Sequence, residues 1–480
     1  MELHGRREIL TPVDSITQAN VVKVLAEALA VHQQNSQEID YLYRYVRGDQ
    51  PILKRKKTVR PKINNKVCEN HAVEIANFVA GYFMGEPVVY VRRGDTQSAS
   101  EEVQTLNDYM FYEDKASHDK DMATWMSIGG VGYRMVLPDR YASEEDDSPF
   151  ELDTPDPRFT FVVYHSGFGH RRMMGVRQVF RKKDEDNIEM VCCGYTATHY
   201  FEVKDGQLLK WEPHVLGDIP IFEYRLNMYR MGSFEPAIPL LDAINAVASN
   251  RLDGLESFVQ SFLKFKNCEV DQEAIKQLEA LGAIMIKSTD GVDGDVEILS
   301  QELNQTQTQT LVDYLYDQVL AICGLPITKG GSGSVDATGQ AILLRDGWQQ
   351  TETRARDTEL LFKRSEKQFL RLVLRIVRET RDISLSLSEV ECKFTRRQHD
   401  NLLAKTQSLL QMLQAGLHPE VAVATCGLFN DPMDVVAQSK DYLRKWEYID
   451  EEPESVEPLD GNNVESADKT EVTGNNAEEA

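Results

Sequence analysis

Positive charge is what this chain has least of: 53 Lys and Arg stand against 77 Asp and Glu, a formal net charge of −24 at pH 7. Proteins that hold nucleic acid by its phosphates carry the opposite balance, because that affinity comes from Lys and Arg displacing counterions. If this chain meets DNA, it is expected to do so without gripping it. Cysteine is sparse and unpatterned, with seven residues, an odd number, and no C-x-x-C spacing. That points to a reducing compartment and away from a disulfide framework or a zinc site. Long apolar runs are missing too. The most apolar stretch, Ala72 to Gly85, is too short for a bilayer and contains Glu74. The opening residues Met1 to Arg7 lack the apolar segment of a signal peptide. The expectation is a soluble protein made inside a cell, with no membrane partner.

Catalytic signatures are equally scarce. There is no G-x-x-x-x-G-K-[ST], and the glycine-rich stretch at 330–333 has no lysine where a phosphate loop needs one. There is no H-E-x-x-H. His165 and His170 share one loop and could be ligands, but surface or packed histidines read better. The acidic runs Glu144-Glu145-Asp146-Asp147 and Asp184-Glu185-Asp186 could hold Mg²⁺ as in a nuclease, yet each falls in an expected turn, where a solvated loop is the simpler reading. Ser332-Gly333-Ser334 does not fit a nucleophile elbow. The expectation is a protein that is not an enzyme and uses no cofactor or metal.

What is present is a globular body. At 480 residues, 41% hydrophobic and 27% charged, the chain predicts two to four structural units. Residues 15–47 read as helix, followed by the basic run Lys54-Arg55-Lys56-Lys57 and an apolar helix over about 67–84 that Gly85 and Pro87 terminate. Val88 to Val91 reads as a strand, 99–112 and 116–128 as helices, and Val131 to Leu137 as a strand. From Phe159 to Tyr224 apolar and polar residues alternate between turn signals such as Lys204-Asp205-Gly206, the pattern of an antiparallel meander.

After Pro236 the period changes. Leu241, Ile244, Ala248, Leu252, Leu255, Val259 and Phe262 fall three or four apart, with Asp242, Asn245, Ser249, Asp253 and Glu256 between them. That predicts an amphipathic helix of about 26 residues, roughly 39 Å long. A second helix over about 303–323 carries Leu311, Leu315, Val319 and Ile322 on one face and stops at Gly324 before Pro326. Between them lies an acidic insert, 266–302, expected to hold a short helix (Asp271–Leu281) and a hairpin of Ala283–Lys287 with Val296–Ser300 at the tip of the helical pair. Residues 327–336 are a loop by composition. About 337–380 then read as one long helix, polar from Gln349 to Glu359 and apolar near its end, with Gly347 as the expected kink. A strand at Val390–Phe394 precedes three short helices, ended or opened by Gly416, Pro419 and Pro432. From Asp450 onward eleven acidic residues face only Lys469, with no periodicity, and that tail is expected to be disordered.

The order of these elements resembles the portal proteins of tailed bacteriophages, in the branch found in siphophages of Gram-positive bacteria. Asn64-Asn65 leading into Ile75-Ala76-Asn77-Phe78-Val79-Ala80-Gly81-Tyr82-Phe83-Met84-Gly85-Glu86-Pro87-Val88-Val89-Tyr90 is similar to that family's helix ending in Gly-Tyr-x-x-Gly-x-Pro and a strand. Ile219-Pro220 through Leu241-Asp242-Ala243-Ile244-Asn245 and Ser249-Asn250 resembles its approach to the stem. Ala337-Thr338-Gly339-Gln340-Ala341-Ile342 resembles the start of the helix after its tunnel loop, with Thr338 where the family often has Ser. Phe394 through Pro432 resembles its closing strand and helices. The first dozen residues and the tail lie outside the likeness.

The resemblance implies an α+β portal fold, mainly helical, with long stem helices, an antiparallel β wing and a small α/β clip. The wing would be 1–235, the stem helices 236–265 and 303–324, the clip 266–302 and the tunnel loop 325–338. The long helix, closing strand and crown helices would occupy 339–449, and the tail 450–480. It implies a ring, usually of twelve subunits, at one capsid vertex in the virion, assembled in the host cytoplasm, through which double-stranded DNA is packaged and ejected. Its partners would be the large terminase subunit, a head–tail connector (adaptor) protein, and the scaffolding and major capsid proteins. Thr328, Lys329, Gly330, Gly331, Ser332, Gly333 and Ser334 would face the DNA, and Asp290, Asp293, Asp295 and Glu297 would form the clip's docking surface. The competing readings are a Mg²⁺-dependent nuclease and an acidic head scaffold without a channel.

Overall fold

The computed structural model describes residues 4–58, 61–93, 97–139, 141–142, 147–184, 187–259, 262–266, 295–299, 305–327, 348–381, 384–394, 402–429, 433 and 435–439. It divides into two units, 1–401 and 402–480.

The first unit opens with strand β1 (Ile9–Thr11) and helix α1 (Val21–Val46). An irregular strap, described over 48–58 and 61–70 and containing one 3₁₀ turn (Pro51–Lys54), leads into α2 (His71–Phe83) and β2 (Val89–Arg92). Helices α3 (Gln97–Tyr112) and α4 (Lys115–Gly129) follow, then β3 (Val131–Pro138) and β4 (Phe150–Asp153). Gly130 makes the sharp turn from α4 into β3. Its φ is +81°, and a Cβ there would meet the Arg230 carbonyl oxygen at 2.2 Å, so no other residue fits without moving backbone.

The expected meander is β5 (Thr160–His165), β6 (Arg172–Asp184), β7 (Asn187–Tyr195), β8 (His199–Lys204) and β9 (Gln207–Pro213). Its strands pair antiparallel in sequence order, and β1 adds in parallel on the outside of β5, Ile9 opposite Val163. The last apolar run, β10 (Ile221–Arg225), leaves the meander and pairs with β3, giving a second sheet of order β10-β3-β4. Alternation predicts a strand but not its partner, since both sheets offer an apolar face.

Helix α5 spans Ile238–Val259. It is shorter than the expected run because Phe262 opens a strand, β11 (Phe262–Lys266), which pairs with β12 (Asp295–Leu299). The three-residue spacing of Phe262 from Val259 fits the helical period, which is why the pattern alone places Phe262 on the helix. The hairpin expected from Ala283–Lys287 lies outside the described residues, as does the short helix before it. Then come α6 (Gln305–Cys323), α7 (Trp348–Arg381) and β13 (Val390–Lys393), which pairs antiparallel with the distant β2. Gly347 lies outside the described residues.

The principal core gathers α7 (Phe362, Phe369, Leu372, Val373), β10 (Phe222, Tyr224) and α3 (Leu106, Met110). A second core joins the end of α1, α2 and the adjoining ends of α5 and α6 through Leu42, Tyr45, Ile75, Leu241, Ile244, Val319 and Leu320. The second unit contains α8 (Leu402–Gln414), α9 (Pro419–Cys426) and helical residues 435–439; Gly416 and Gly427 take the left-handed conformation after the first two. The acidic tail lies outside the described residues. Among the described residues, no helix is long and apolar enough to cross a membrane.

Candidate functional site

The polar stripe on α5 is turned inward except at Glu256, with Asn245, Ser249 and Asp253 buried. Asp242, Asn245, Ser249, Asp253 and Glu256 recur every three or four residues, so they share one face, and α1 and the strap run along that face bonding to each in turn. The Tyr45 hydroxyl donates to Asp242 at 2.9 Å. Asn245 donates to Gln50 at 2.6 Å and accepts the Glu69 N–H at 2.7 Å. Ser249 Oγ accepts the Val67 N–H at 3.0 Å. Asp253 is the hub: Oδ1 takes the Asn65 N–H at 2.7 Å, and Oδ2 lies 2.9 Å from Lys57 Nζ and 3.2 Å from Arg55. Asn65 also donates to Glu256 at 2.8 Å. Burial raises the Asp253 carboxyl, but the bonds from Lys57 and Asn65 outweigh it and leave its pKa lowered.

The apolar stripe of the same helix divides in two. Leu241 and Ile244 are buried in the core, whereas Leu252 and Leu255, about two and three turns beyond Ile244, are 41% and 49% exposed. Helix α6 mirrors this: Val319, Leu320 and Cys323 are buried, while Leu311 and Tyr314 are 46% and 58% exposed. The helical pair therefore leaves the core with polar groups satisfied inward and apolar ones open.

Helix α7 is fixed at two levels. Its polar stretch is not a bare wall: Thr351 Oγ1 donates to the Gly324 carbonyl at 2.7 Å, Arg354 to the Ile322 carbonyl at 2.9 Å, and Thr358 to the Leu226 carbonyl at 2.9 Å. Two of these satisfy carbonyls at the end of α6 that the helix itself leaves unpaired. Lower down, Glu366 is completely buried. It accepts from the Tyr90 and Tyr224 hydroxyls at 2.5 Å each and lies 3.1 Å from Arg134 and 3.2 Å from Lys115. Asp119 closes the knot by pairing with both Arg134 and Lys115. Burial raises the Glu366 carboxyl, yet the two cations and two hydroxyls overcome it and hold it well below the usual carboxylate range. One knot thus ties α7 to α4, β2, β3 and β10.

Beside the end of α6 lies an apolar groove of about 680 Å³, with Phe78 and Tyr82 on one wall, Met228 and Tyr229 on another, and Ile322 and Leu361 across from them.

A family model described as "Phage portal protein, SPP1 Gp6-like" matches residues 25–446. The chain belongs to that family. Comparison with curated proteins gives no match. The match decides among the readings left open by the sequence: this is a portal protein of the virion, acting in genome packaging at the capsid vertex. Portal proteins are structural homo-oligomeric rings and not enzymes.

Of the residues singled out from sequence, Thr328, Lys329, Gly330, Gly331, Ser332, Gly333 and Ser334 lie outside the described residues, as do Asp290 and Asp293. Asp295 and Glu297 are on β12, in register with Lys266 and Lys264 of β11. His165 Nδ1 accepts the Gly167 N–H at 3.0 Å and Nε2 lies 3.3 Å from Asp14, while His170 sits at φ +42° beside a polar pocket with Arg225, Arg230 and Arg364. Of the two acidic runs, 144–146 and 185–186 lie outside the described residues. The sequence reading missed the strap and the Asp253 hub. Their signals were present as Asn64-Asn65, the basic run before it and the polar stripe on α5, but nothing in the sequence showed that these belong together.

Proposed function

We propose that this chain is one subunit of a twelve-membered portal ring in a siphophage of a Gram-positive host, assembled in the host cytoplasm. The observation that carries the ring geometry is the open apolar stripe on the stem. Leu252, Leu255, Leu311 and Tyr314 have no reason to be apolar in a lone subunit, and a neighbour's stem would cover them. The proposed parts keep the boundaries above: wing 1–235, stem 236–265 and 303–324, clip 266–302, tunnel loop 325–338, and crown toward the C-terminus. In this reading Lys329 gives a positive ring within an acidic channel, enough to centre a passing duplex with a screened attraction of about 1 kcal/mol or less per site. Lys329→Glu then lowers the DNA packaged with assembly unchanged. The clip residues Asp290, Asp293, Asp295 and Glu297 form the docking face for the large terminase subunit and later the adaptor, and the scaffolding and major capsid proteins hold the ring in the shell. Changing the three aspartates to lysine then reduces packaging and spares the ring.

The ring itself is tested by negative-stain imaging and light scattering of the purified protein. Closed rings are expected, and Leu252→Glu with Leu255→Glu is expected to give folded subunits that do not close. A monodisperse wild-type monomer at micromolar concentration would overturn the reading.

A further inference from the structure

The acidic balance of the chain conceals one strongly basic surface. Between Asp49 and Glu69 there are seven basic residues, Lys54, Arg55, Lys56, Lys57, Arg60, Lys62 and Lys66, and no acidic one. This is the strap that runs along α5; Arg60 lies outside the described residues, and the other six cations divide by role. Arg55 and Lys57 turn inward and neutralise Asp253. Lys66 donates to the Leu53 carbonyl, and Asn64 and Arg55 tie the strap to itself through the Arg55 and Asn65 carbonyls. Lys54, Lys56 and Lys62 are exposed and have no partner among the described residues. The ladder to α5 therefore holds a loop of backbone in place so that three lysines point away from it.

We propose that the strap is a contact surface for the phosphate backbone of double-stranded DNA. A second, basic region on an acidic body is what phosphate contact needs, because counterion release depends on the charges at the contact and not on the protein's total. A protein partner fits less well. Protein interfaces are built on apolar and aromatic anchors and are depleted in Lys, whereas Leu53, at 39%, is the only large apolar side chain that the described strap residues leave exposed. Lysine serves phosphate as a point charge without base recognition, so the contact is independent of sequence. A fixed backbone also lowers the ordering cost of binding. The proposal rests on the portal reading, since it supplies the DNA. It changes one expectation from composition: the acidic surfaces let DNA slide, and the strap is where it is held.

The test measures binding of the intact protein to a fluorescent 30-base-pair duplex of arbitrary sequence between 50 and 200 mM salt. The variant Lys54→Gln/Lys56→Gln/Lys62→Gln is compared with Lys120→Gln/Lys182→Gln/Lys367→Gln, which removes three exposed lysines elsewhere. The strap variant is expected to weaken binding at low salt by tenfold or more and to flatten the log–log salt slope by about 0.9 per contact, close to three in all. The control should match wild type. Equal losses in both variants, no DNA binding by wild type, or binding of an acidic polypeptide in place of DNA would each overturn the proposal. Imaging the same samples separates the two ideas: absent rings would remove the portal geometry, while the salt slope still decides the strap.

Discussion

Two charged clusters hold the long helices of this protein, and they work under opposite conditions. The knot around Glu366 is sealed, with Glu366 and Arg134 both fully buried, and every charge answers another inside the core. The ladder around Asp253 lies at the edge, where Arg55 and Lys57 keep part of their surface in water. Burial removes the alternative of hydration, so a sealed network is costly to break and specifies one packing. An edge network is worth less per bond but can be repeated along a helix. Helix α5 uses repetition, and α7 uses one knot. The difference suits their neighbours: α7 must dock against two sheets at one register, whereas α5 must be held along its length while its apolar side stays free.

The largest expected effect comes from opening the knot. Glu366→Gln strands Arg134 and Lys115 with Asp119 alone, and a loss of about 3–5 kcal/mol is expected in denaturant unfolding. A loss under 1 kcal/mol would mean the knot is not tighter than the ladder. Next, Asp253→Asn removes the ion pairs of the hub but keeps its shape, and about 1–2 kcal/mol is expected. Salt separates the two: 1 M salt should shrink the Asp253 effect, which is partly solvated, and leave the Glu366 effect nearly intact. Equal salt sensitivity would erase the contrast.

Acid gives a finer comparison. Both carboxyls have folded pKa values below their ordinary ones, so each contributes stability that is complete above the ordinary carboxylate range of about 4 and is lost as pH falls through the folded value. Wild-type stability should therefore drop from about pH 4.5 toward pH 2. Glu366→Gln should flatten that drop more than Asp253→Asn, read as unfolding midpoints across the range. The smallest effect sets the floor. Arg356, itself exposed, pairs with the half-buried Glu352 one turn before it at 2.8 Å on α7, and Arg356→Ala should cost less than about 0.5 kcal/mol. A larger loss there would show that surface pairs on α7 carry more than their geometry gives.

Much of the architecture was legible before any coordinates. Period gave α1 through α4, the β5–β9 meander, α5, α6 and the long α7, because an apolar face recurring at 3.6 or 2 residues is a local property. Gly324 and Gly416 marked helix ends for an equally local reason, the left-handed backbone that follows a helix. The family likeness was also carried by local motifs in order. Tertiary structure decided what local pattern leaves free, namely which strands become partners: β1 beside β5, β10 with β3, β13 with β2 and β11 with β12. It also decided which polar residues are interior. Glu366 in a polar-looking helix is the most buried acid among the described residues, and Asp253 in a polar stripe is a hub, while Leu252 and Leu255 in an apolar stripe are open. Side-chain polarity sets what a residue needs, a partner or an escape from water. Whether the need is met by solvent, by a strap 188 to 196 residues away or by another subunit depends on what the rest of the chain brings beside it, and no window of sequence contains that.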